Sequence, residues 1–310
     1  MTKPIERPTA LAPPRPPVGK RWWQKRSAKG ALYALPVAVF VAVFFIAPLF
    51  LVGRMSASDW QLLTGDQGIN FPENYQSITD NPLFWPAVGF TLKYTGIVVV
   101  VLLALSLLMA LLVQERRRGV GFIRTAYFLP TTLGLASASL LFWGFYSPQI
   151  GPIDQILQWT GLSDEPISWL GSPNMALFST VVLIVWRFAG FFMIILLVGL
   201  QSIPGEVYEA ARQDGANRWR TFVHITLPLL RPSLGLVLIL SVTGSLLAFD
   251  QFFILTKGGP DNSTVTVVQL VYREAFQRFD LGAAAAISVL VLLALLILNF
   301  AQFRALRKAD

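Results

Sequence analysis

The sequence predicts an all-α integral membrane protein built on six apolar spans, and three observations carry that prediction. Of its 310 residues, 54% are hydrophobic and only 14% charged, and mean hydropathy is +0.58, where a soluble domain carries about a quarter charged residues. Six stretches, roughly 31 to 53, 88 to 113, 122 to 146, 176 to 200, 232 to 256 and 281 to 303, reach the length of about 20 apolar residues that a helix needs to cross the hydrocarbon core. The formal charge of +8 is collected in short segments flanking these stretches, a pattern that fits a membrane surface and disfavours nucleic acid as a partner.

From the N-terminus, residues 1–30 read as a basic cytoplasmic tail. Pro4, Pro8, Pro13, Pro14, Pro16 and Pro17 oppose helix and cannot build a core, so an extended, disordered segment is expected. Arg21-Trp22-Trp23-Gln24-Lys25-Arg26 then supplies a belt of aromatic and basic side chains for the membrane interface. The first span is too long for the apolar core of a cleavable signal peptide, and no small-residue cleavage site follows it near Arg54-Met55-Ser56. Residues 31–310 are expected to form a single transmembrane domain. Its fifth span is the least apolar, interrupted by Ser241, Thr243, Gly244, Ser245 and Asp250.

The lysines and arginines set the orientation. With six spans, one side receives the tail (Lys3, Arg7, Arg15, Lys20, Arg21, Lys25, Arg26, Lys29), Arg116, Arg117, Arg118 and Arg124, then Arg212, Arg218, Arg220 and Arg231, and finally Arg304, Arg307 and Lys308. The other side has only Arg54, Lys257, Arg273 and Arg278. The positive-inside rule therefore predicts cytoplasmic termini and a cytoplasmic 203–230 loop. On the outer side, residues 54–87 are too short for a folded domain and are expected to hold a little helix near Pro72 to Ile78. Ile153, Ile156 and Leu157 have the spacing of an amphipathic turn on the surface, and residues 256–264 are rich in turn formers.

Between the fourth and fifth spans lies a polar, arginine-bearing insert. Ser202 and Pro204 suit a helix start, with Glu206 where the helix dipole favours an anion. Val207, Ala210 and Ala211 give a slim apolar face that suits insertion into a cleft on another protein. Gly215 can stop the helix in a left-handed conformation, and Asn217 can cap a second short helix ending before Pro228. An ordinary solvated loop is the plainer reading of these general features.

The full spacing is more specific. Glu209-Ala210-Ala211, three residues, Gly215, nine residues, then Ile225-x-Leu227-Pro228 resembles the signature loop of the membrane permease subunits of binding-protein-dependent ABC importers. Phe128-Leu129-Pro130, the stretch Tyr146-Ser147-Pro148-Gln149-Ile150-Gly151-Pro152, the Gly258-Gly259-Pro260 turn with Asn262-Ser263-Thr264, and Tyr272-Arg273-Glu274-Ala275-Phe276 are similar to the carbohydrate branch, and to its first permease in particular. Together these motifs cover the chain from about residue 85 to its end. The resemblance implies a type I importer fold with a cytoplasmic coupling helix, carried by Glu209, Ala210, Ala211, Asp214, Gly215, Ala216 and Arg218. It also implies a second, different permease subunit, two copies of an ATP-binding subunit that carry the ATP and magnesium, and an outer rim that receives a solute-binding protein. A bacterial or archaeal cytoplasmic membrane would be the setting, with no cofactor on this chain. The extra spans and large outer domain of the maltose member are absent, so the six-span form is closer to the glycerophosphate and general sugar members.

Catalytic signatures are missing: no phosphate-binding Gly-x-x-x-x-Gly-Lys-Ser/Thr, no Gly-x-Ser-x-Gly, no His-Glu-x-x-His. With no Cys and a single His224, thiol chemistry and cysteine metal sites are excluded and no metal site is expected. An enzyme acting on a lipid or peptide, with Asp250 or Arg187 as the reactive group, is the contrasting hypothesis; a passive channel leaves the signature loop without a purpose.

A sugar pathway calls for hydroxyl-matching polar groups and aromatic faces inside the bundle. Trp186, Arg187, Phe191 and Phe192 on the fourth span and Ser241, Thr243, Ser245, Asp250 and Gln251 on the fifth are the candidates. A sugar or oligosaccharide is the expected cargo, with glycerol-3-phosphate or a glycerophosphodiester as the alternative, for which Arg187 is a natural phosphate partner. Counted at 1.5 Å per residue from the inner ends, Arg187 and Asp250 lie about 20 Å and 27 Å deep, so the two are expected to pair as a gate or a structural clamp, or each to face a wet cavity.

Overall fold

The computed structural model describes residues 21–115 and 117–307. The proline-rich stretch of the expected tail lies outside the described residues, as do Arg116, Lys308 and the side chains of the Arg21–Arg26 belt. The chain divides into two compact units, Met1–Leu51 and Val52–Asp310. α1 (Arg21–Val41), in the first, continues through a π-helical turn, Ala42–Ile46, into α2 (Ala47–Met55), whose last four residues belong to the second, and Tyr33–Met55 makes an apolar segment long enough to span.

The second unit opens on a hairpin, β1 (Ser58–Gln61) and β2 (Gly65–Ile69), followed by α3 (Glu73–Asp80), the expected short helix. Asn74 holds the hairpin by donating to the Ser56 and Ser58 carbonyls at 3.1 and 2.8 Å. Then α4 (Phe84–Leu112) crosses the bundle, burying Tyr94, Val98 and Leu102 four residues apart. Its Thr91 hydroxyl donates to the Ala87 carbonyl at 2.7 Å, the internal bond that lets a polar side chain lie within an apolar helix.

The span expected as one helix over 122–146 is instead two, α5 (Val120–Phe128) and α6 (Leu135–Phe145), meeting at 96° after a 3-10 turn, Leu129–Thr132. Pro130 has no N–H to give to the ladder, and Leu133 and Gly134 are extended, with ψ of 138° and 146°. Next come α7 (Pro152–Trp159) and α8 (Pro173–Gln201). Ser172 caps α8 by accepting from the Met175 amide, with Pro173 in the first turn.

The polar insert folds as α9 (Gly205–Gln213) and α10 (Arg218–Thr221), passes through a π-helical turn, Phe222–Thr226, to α11 (Leu227–Leu229), and bends by 65° into α12 (Arg231–Leu246). The fifth span thus ends at Leu246, ten residues short of the expected 256. Residues 247–249 leave the helix, Phe249 at φ −136° and ψ −65°, and α13 (Asp250–Leu255) restarts it. After α14 (Val267–Phe276), α15 (Leu281–Arg307) closes the chain. Among the described residues four helices can span a membrane, or six if each bent pair is one span.

α8 is the centre of the second unit, packed against α4, α12 and α5. Leu183, Met193 and Leu196 on α8 are fully buried with Tyr94, Val98 and Leu102 of α4, Val237 of α12 and Phe252 of α13. A second cluster, Ile78, Phe84, Val267, Leu270, Ala286 and Ile287, binds α3, α14 and the starts of α4 and α15 at the end opposite the arginine-rich insert.

Candidate functional site

Two places collect the residues that the sequence singles out: the arginine-rich hairpin of α9 and α10, and a small polar cavity in the bundle.

In the hairpin, Gly215 has φ +74° and closes α9. The Ala216 amide reaches back to the Ala211 carbonyl at 2.9 Å and the Gly215 amide to Arg212 at 3.1 Å, the paired bonds that satisfy a helix's last carbonyls. The Asn217 side chain then accepts from the Arg220 amide at 2.8 Å and starts α10. Glu209, Ala210, Asp214, Gly215 and Arg218 are exposed and Ala216 is half-buried. Ala211 departs from the expectation: it is 5% exposed and faces this chain, so the outward ridge is Glu209 and Ala210. The reason is the periodicity of α9, which puts Ala211 on the same side as half-buried Val207 and Tyr208, whose hydroxyl is 3.3 Å from Thr226 Oγ1.

The hairpin lies beside the end of α4. A cleft of about 620 Å³ separates them, lined by Gln114, Glu115, Tyr208, Arg212, Arg218 and Thr221 among others. Arg124 of α5 caps α4, with Nε 3.1 Å from the Val113 carbonyl.

In the bundle, Ser241, Gly244 and Ser245 of α12, Gln251 of α13, Tyr94 of α4 and Phe188 and Phe192 of α8 surround a cavity of about 80 Å³. At roughly 10–15 Å³ of probe volume per water, this holds a few waters and no sugar ring. Gln251 Nε2 donates to the Tyr94 hydroxyl at 3.1 Å, and Gln251 Oε1, fully buried, has no hydrogen-bond partner. An unpaired amide oxygen in a dry interior is costly, so this atom is suited to receive a hydroxyl from outside the chain. Tyr94 and Phe188 were missing from the sequence-derived set; a phenol inside an apolar span, which needs a partner when buried, was the available signal for Tyr94.

The other candidates lie elsewhere. Trp186 packs on Phe142 with centroids 5.1 Å apart and lines an apolar groove between α4 and α8. Phe191 is edge-on to Phe192 at 5.3 Å. Arg187 does not pair with Asp250. Its Nε and Nη2 donate to the Leu133 carbonyl at 2.9 and 2.7 Å, and the guanidinium lies 4.3 Å from the centre of the Phe188 ring. The break after α5 leaves that carbonyl without a helical donor, and the nearest long cation supplies one. Asp250 sits instead in the first turn of α13, where the helix dipole favours its charge.

At the opposite end, Arg273 clamps the 256–266 turn, donating to Asn262 Oδ1 at 2.8 Å and the Lys257 carbonyl at 3.1 Å. Burial pushes the neighbouring Glu274 carboxyl above its usual range, and Arg278 at 3.0 Å pulls it back.

Comparison with known proteins gives the family and the fold. Residues 103–308 match the family model described as binding-protein-dependent transport system inner membrane component. The chain is 32% identical to the multiple sugar-binding transport system permease protein MsmF of Streptococcus mutans, over 91% of this chain and 96% of that protein. It is 33% identical to the trehalose/maltose transport system permease protein MalF of Thermococcus litoralis, over 89% and 92%. Its fold matches a chain in the crystal structure of a bacterial ABC transporter involved in the import of the acidic polysaccharide alginate, with a TM-score of 0.81 and 23% identity over 93% of this chain and 99% of that one.

Proposed function

The chain belongs to the binding-protein-dependent transport system inner membrane component family, and on that premise we propose what it carries and how it is driven. It is a multi-pass membrane protein, the pore-forming permease subunit of an importer, and not an enzyme. The cargo is a sugar or oligosaccharide. The observation that carries this choice is the cluster of groups at the small cavity: the Gln251 carbonyl oxygen, the Ser241 and Ser245 hydroxyls and the Phe188 and Phe192 rings offer the hydrogen-bonding and stacking groups that a polyol uses, and the space of about 80 Å³ must widen before a sugar ring enters. The names of sugar permeases similar to it support the same choice. A phosphate-bearing cargo is less well served, because Arg187 is already engaged by a backbone carbonyl.

In this reading the exposed ridge of Glu209 and Ala210, with Asp214 and Arg218, engages an ATP-binding subunit that binds ATP and magnesium. A second, different permease completes the pore, and the solute-binding protein docks at the opposite rim. The lysine and arginine asymmetry supports cytoplasmic termini and a cytoplasmic hairpin.

The test is uptake by the assembled transporter in proteoliposomes with its solute-binding protein, offered labelled mono- and oligosaccharides or glycerol-3-phosphate. ATP-dependent uptake of a saccharide, lost in Gln251→Leu, is expected. Uptake of glycerol phosphate alone, or saccharide uptake indifferent to Gln251→Leu, would overturn the assignment of cargo or of site.

A further inference from the structure

Between α6 and α8, the helix α7 turns an apolar face away from the protein. Pro152, Gln155, Ile156 and Trp159 share that face at the i, i+3, i+4, i+7 spacing, while Ile153, Asp154 and Leu157 point inward. Trp159 is 89% exposed, Ile156 59%, and the flanking Ile150 and Leu162 75% and 76%. Four large apolar side chains on one short segment is more than scattered surface residues would give, and marks a contact surface.

The face is held rigidly. Asp154, 1% exposed, accepts from the Trp169 indole N–H at 2.8 Å and the Ile167 amide at 3.2 Å. Trp169 stacks on Tyr146 at 5.6 Å, and the Tyr146 hydroxyl donates to the Ser179 carbonyl at 2.8 Å, so α7 is tied to the first turns of α8. Gly161 at φ +69° ends the helix, and the Leu162 amide returns to the Leu157 carbonyl at 2.9 Å, fixing Leu162 beside the apolar face. The helix's one charge is turned inward, and the next ones, Asp164 and Glu165, are exposed past the turn.

We propose that α7 is an interfacial anchor, its outward face of Ile156 and Trp159 with Ile150 and Leu162 seated in the boundary between lipid headgroups and acyl chains. The occupant follows from continuity. The segment joins α6, the second half of the bent apolar pair, to the start of the span-length helix α8, and exposed Trp143 in the last turn of α6 and Phe178 in the second turn of α8 extend the apolar surface of these helices to α7. Tryptophan concentrates at this depth because its ring is apolar and its N–H is wet. An uncharged face with acidic residues only beyond it suits neutral headgroups and the apolar layer beneath them. Under the topology proposed above, the leaflet is the outer one. The anchor fixes the height of the α6–α8 connection in the membrane, and with it the rim.

Because the chain has no Cys, Trp159→Cys, Ile156→Cys and Asp164→Cys give single attachment points. Each variant is labelled with an environment-sensitive fluorophore in the complete transporter, whose other subunits lack reactive cysteines, in nanodiscs of phosphatidylcholine brominated near the glycerol end of its chains. Quenching at 156 and 159 several-fold stronger than at 164, and unchanged by adding the solute-binding protein, is expected. Equal weak quenching at all three positions, or shielding of 156 and 159 only when the solute-binding protein is present, would overturn the proposal; the second outcome would assign the face to that protein. Neither depends on the cargo.

Discussion

The second unit bends its helices sharply in two places, 96° between α5 and α6 and 65° between α11 and α12, and the two bends are held by different means. The first depends on residues far away in the chain. Arg187 supplies the donor for the Leu133 carbonyl, the Thr131 hydroxyl returns a bond to the Arg187 carbonyl at 2.9 Å, and Gly190 lets the backbone of Tyr127 and Phe128 lie directly on α8. The second is marked mainly by local residues: Pro228 and Pro232 stand in the first turns of α11 and α12 on either side of Leu230, while upstream of the bend Gly215 turns and Asn217 caps the hairpin that leads into it. A bend built from distant parts ties two helices together, whereas one built locally can move as a unit, which suits a coupling hairpin.

Substitutions break this comparison in order of effect. Gly190→Val should be the most damaging, since even a Cβ there would lie 1.8 Å from the Tyr127 carbonyl oxygen, while Gly244→Ala meets nothing within 4 Å. Overpacking costs about 1–3 kcal/mol and more when backbone must move. Thermal unfolding in detergent should show a large loss for the first and little for the second. Arg187→Gln comes next, at about 1.5–3 kcal/mol for the loss of a hydrogen bond from a charged donor to the Leu133 carbonyl. A double-mutant cycle with Asp250→Asn should give no coupling, because the two side chains are not in contact; a coupling above about 1 kcal/mol would restore the ion pair that the structure lacks.

Local changes at the hairpin should cost less stability and more function. Gly215→Val forces a branched residue into the left-handed region, at about 1–2 kcal/mol, and is expected to insert normally yet lose ATP-driven uptake. Asn217→Ala removes a cap for about 1 kcal/mol and should lower uptake only partly. Equal thermal losses at the hairpin and at Gly190 would erase the distinction between the two bends.

The same distinction explains what was legible in the sequence. Apolar length located α4, α8 and α15 to within a few residues, and glycine, asparagine and proline marked the turn, cap and stops of the hairpin because those conformations belong to single residues. Hydropathy measures composition and not direction, so 122–146 read as one rod although Pro130 and Gly134 were in view. Depth alone leaves Arg187 and Asp250 either paired or each facing a wet cavity, because it takes no account of the carbonyl released by that break. Tyr94 could not be matched with Gln251, 157 residues away, by any local pattern, and Ala211 read as a docking residue because the inward side of α9 is decided by the end of α4 and by Thr226.

The most direct test of the central claim, that the hairpin joins this permease to an ATPase, is cross-linking from single cysteines in the native chain's cysteine-free background. Ala210→Cys and Glu209→Cys, in a transporter that still imports its cargo, should cross-link to the ATP-binding subunit with a short bifunctional reagent, while Ala211→Cys and Lys257→Cys should not. Active transporter with no cross-link from 209 or 210, or with an equal yield from 257, would contradict it.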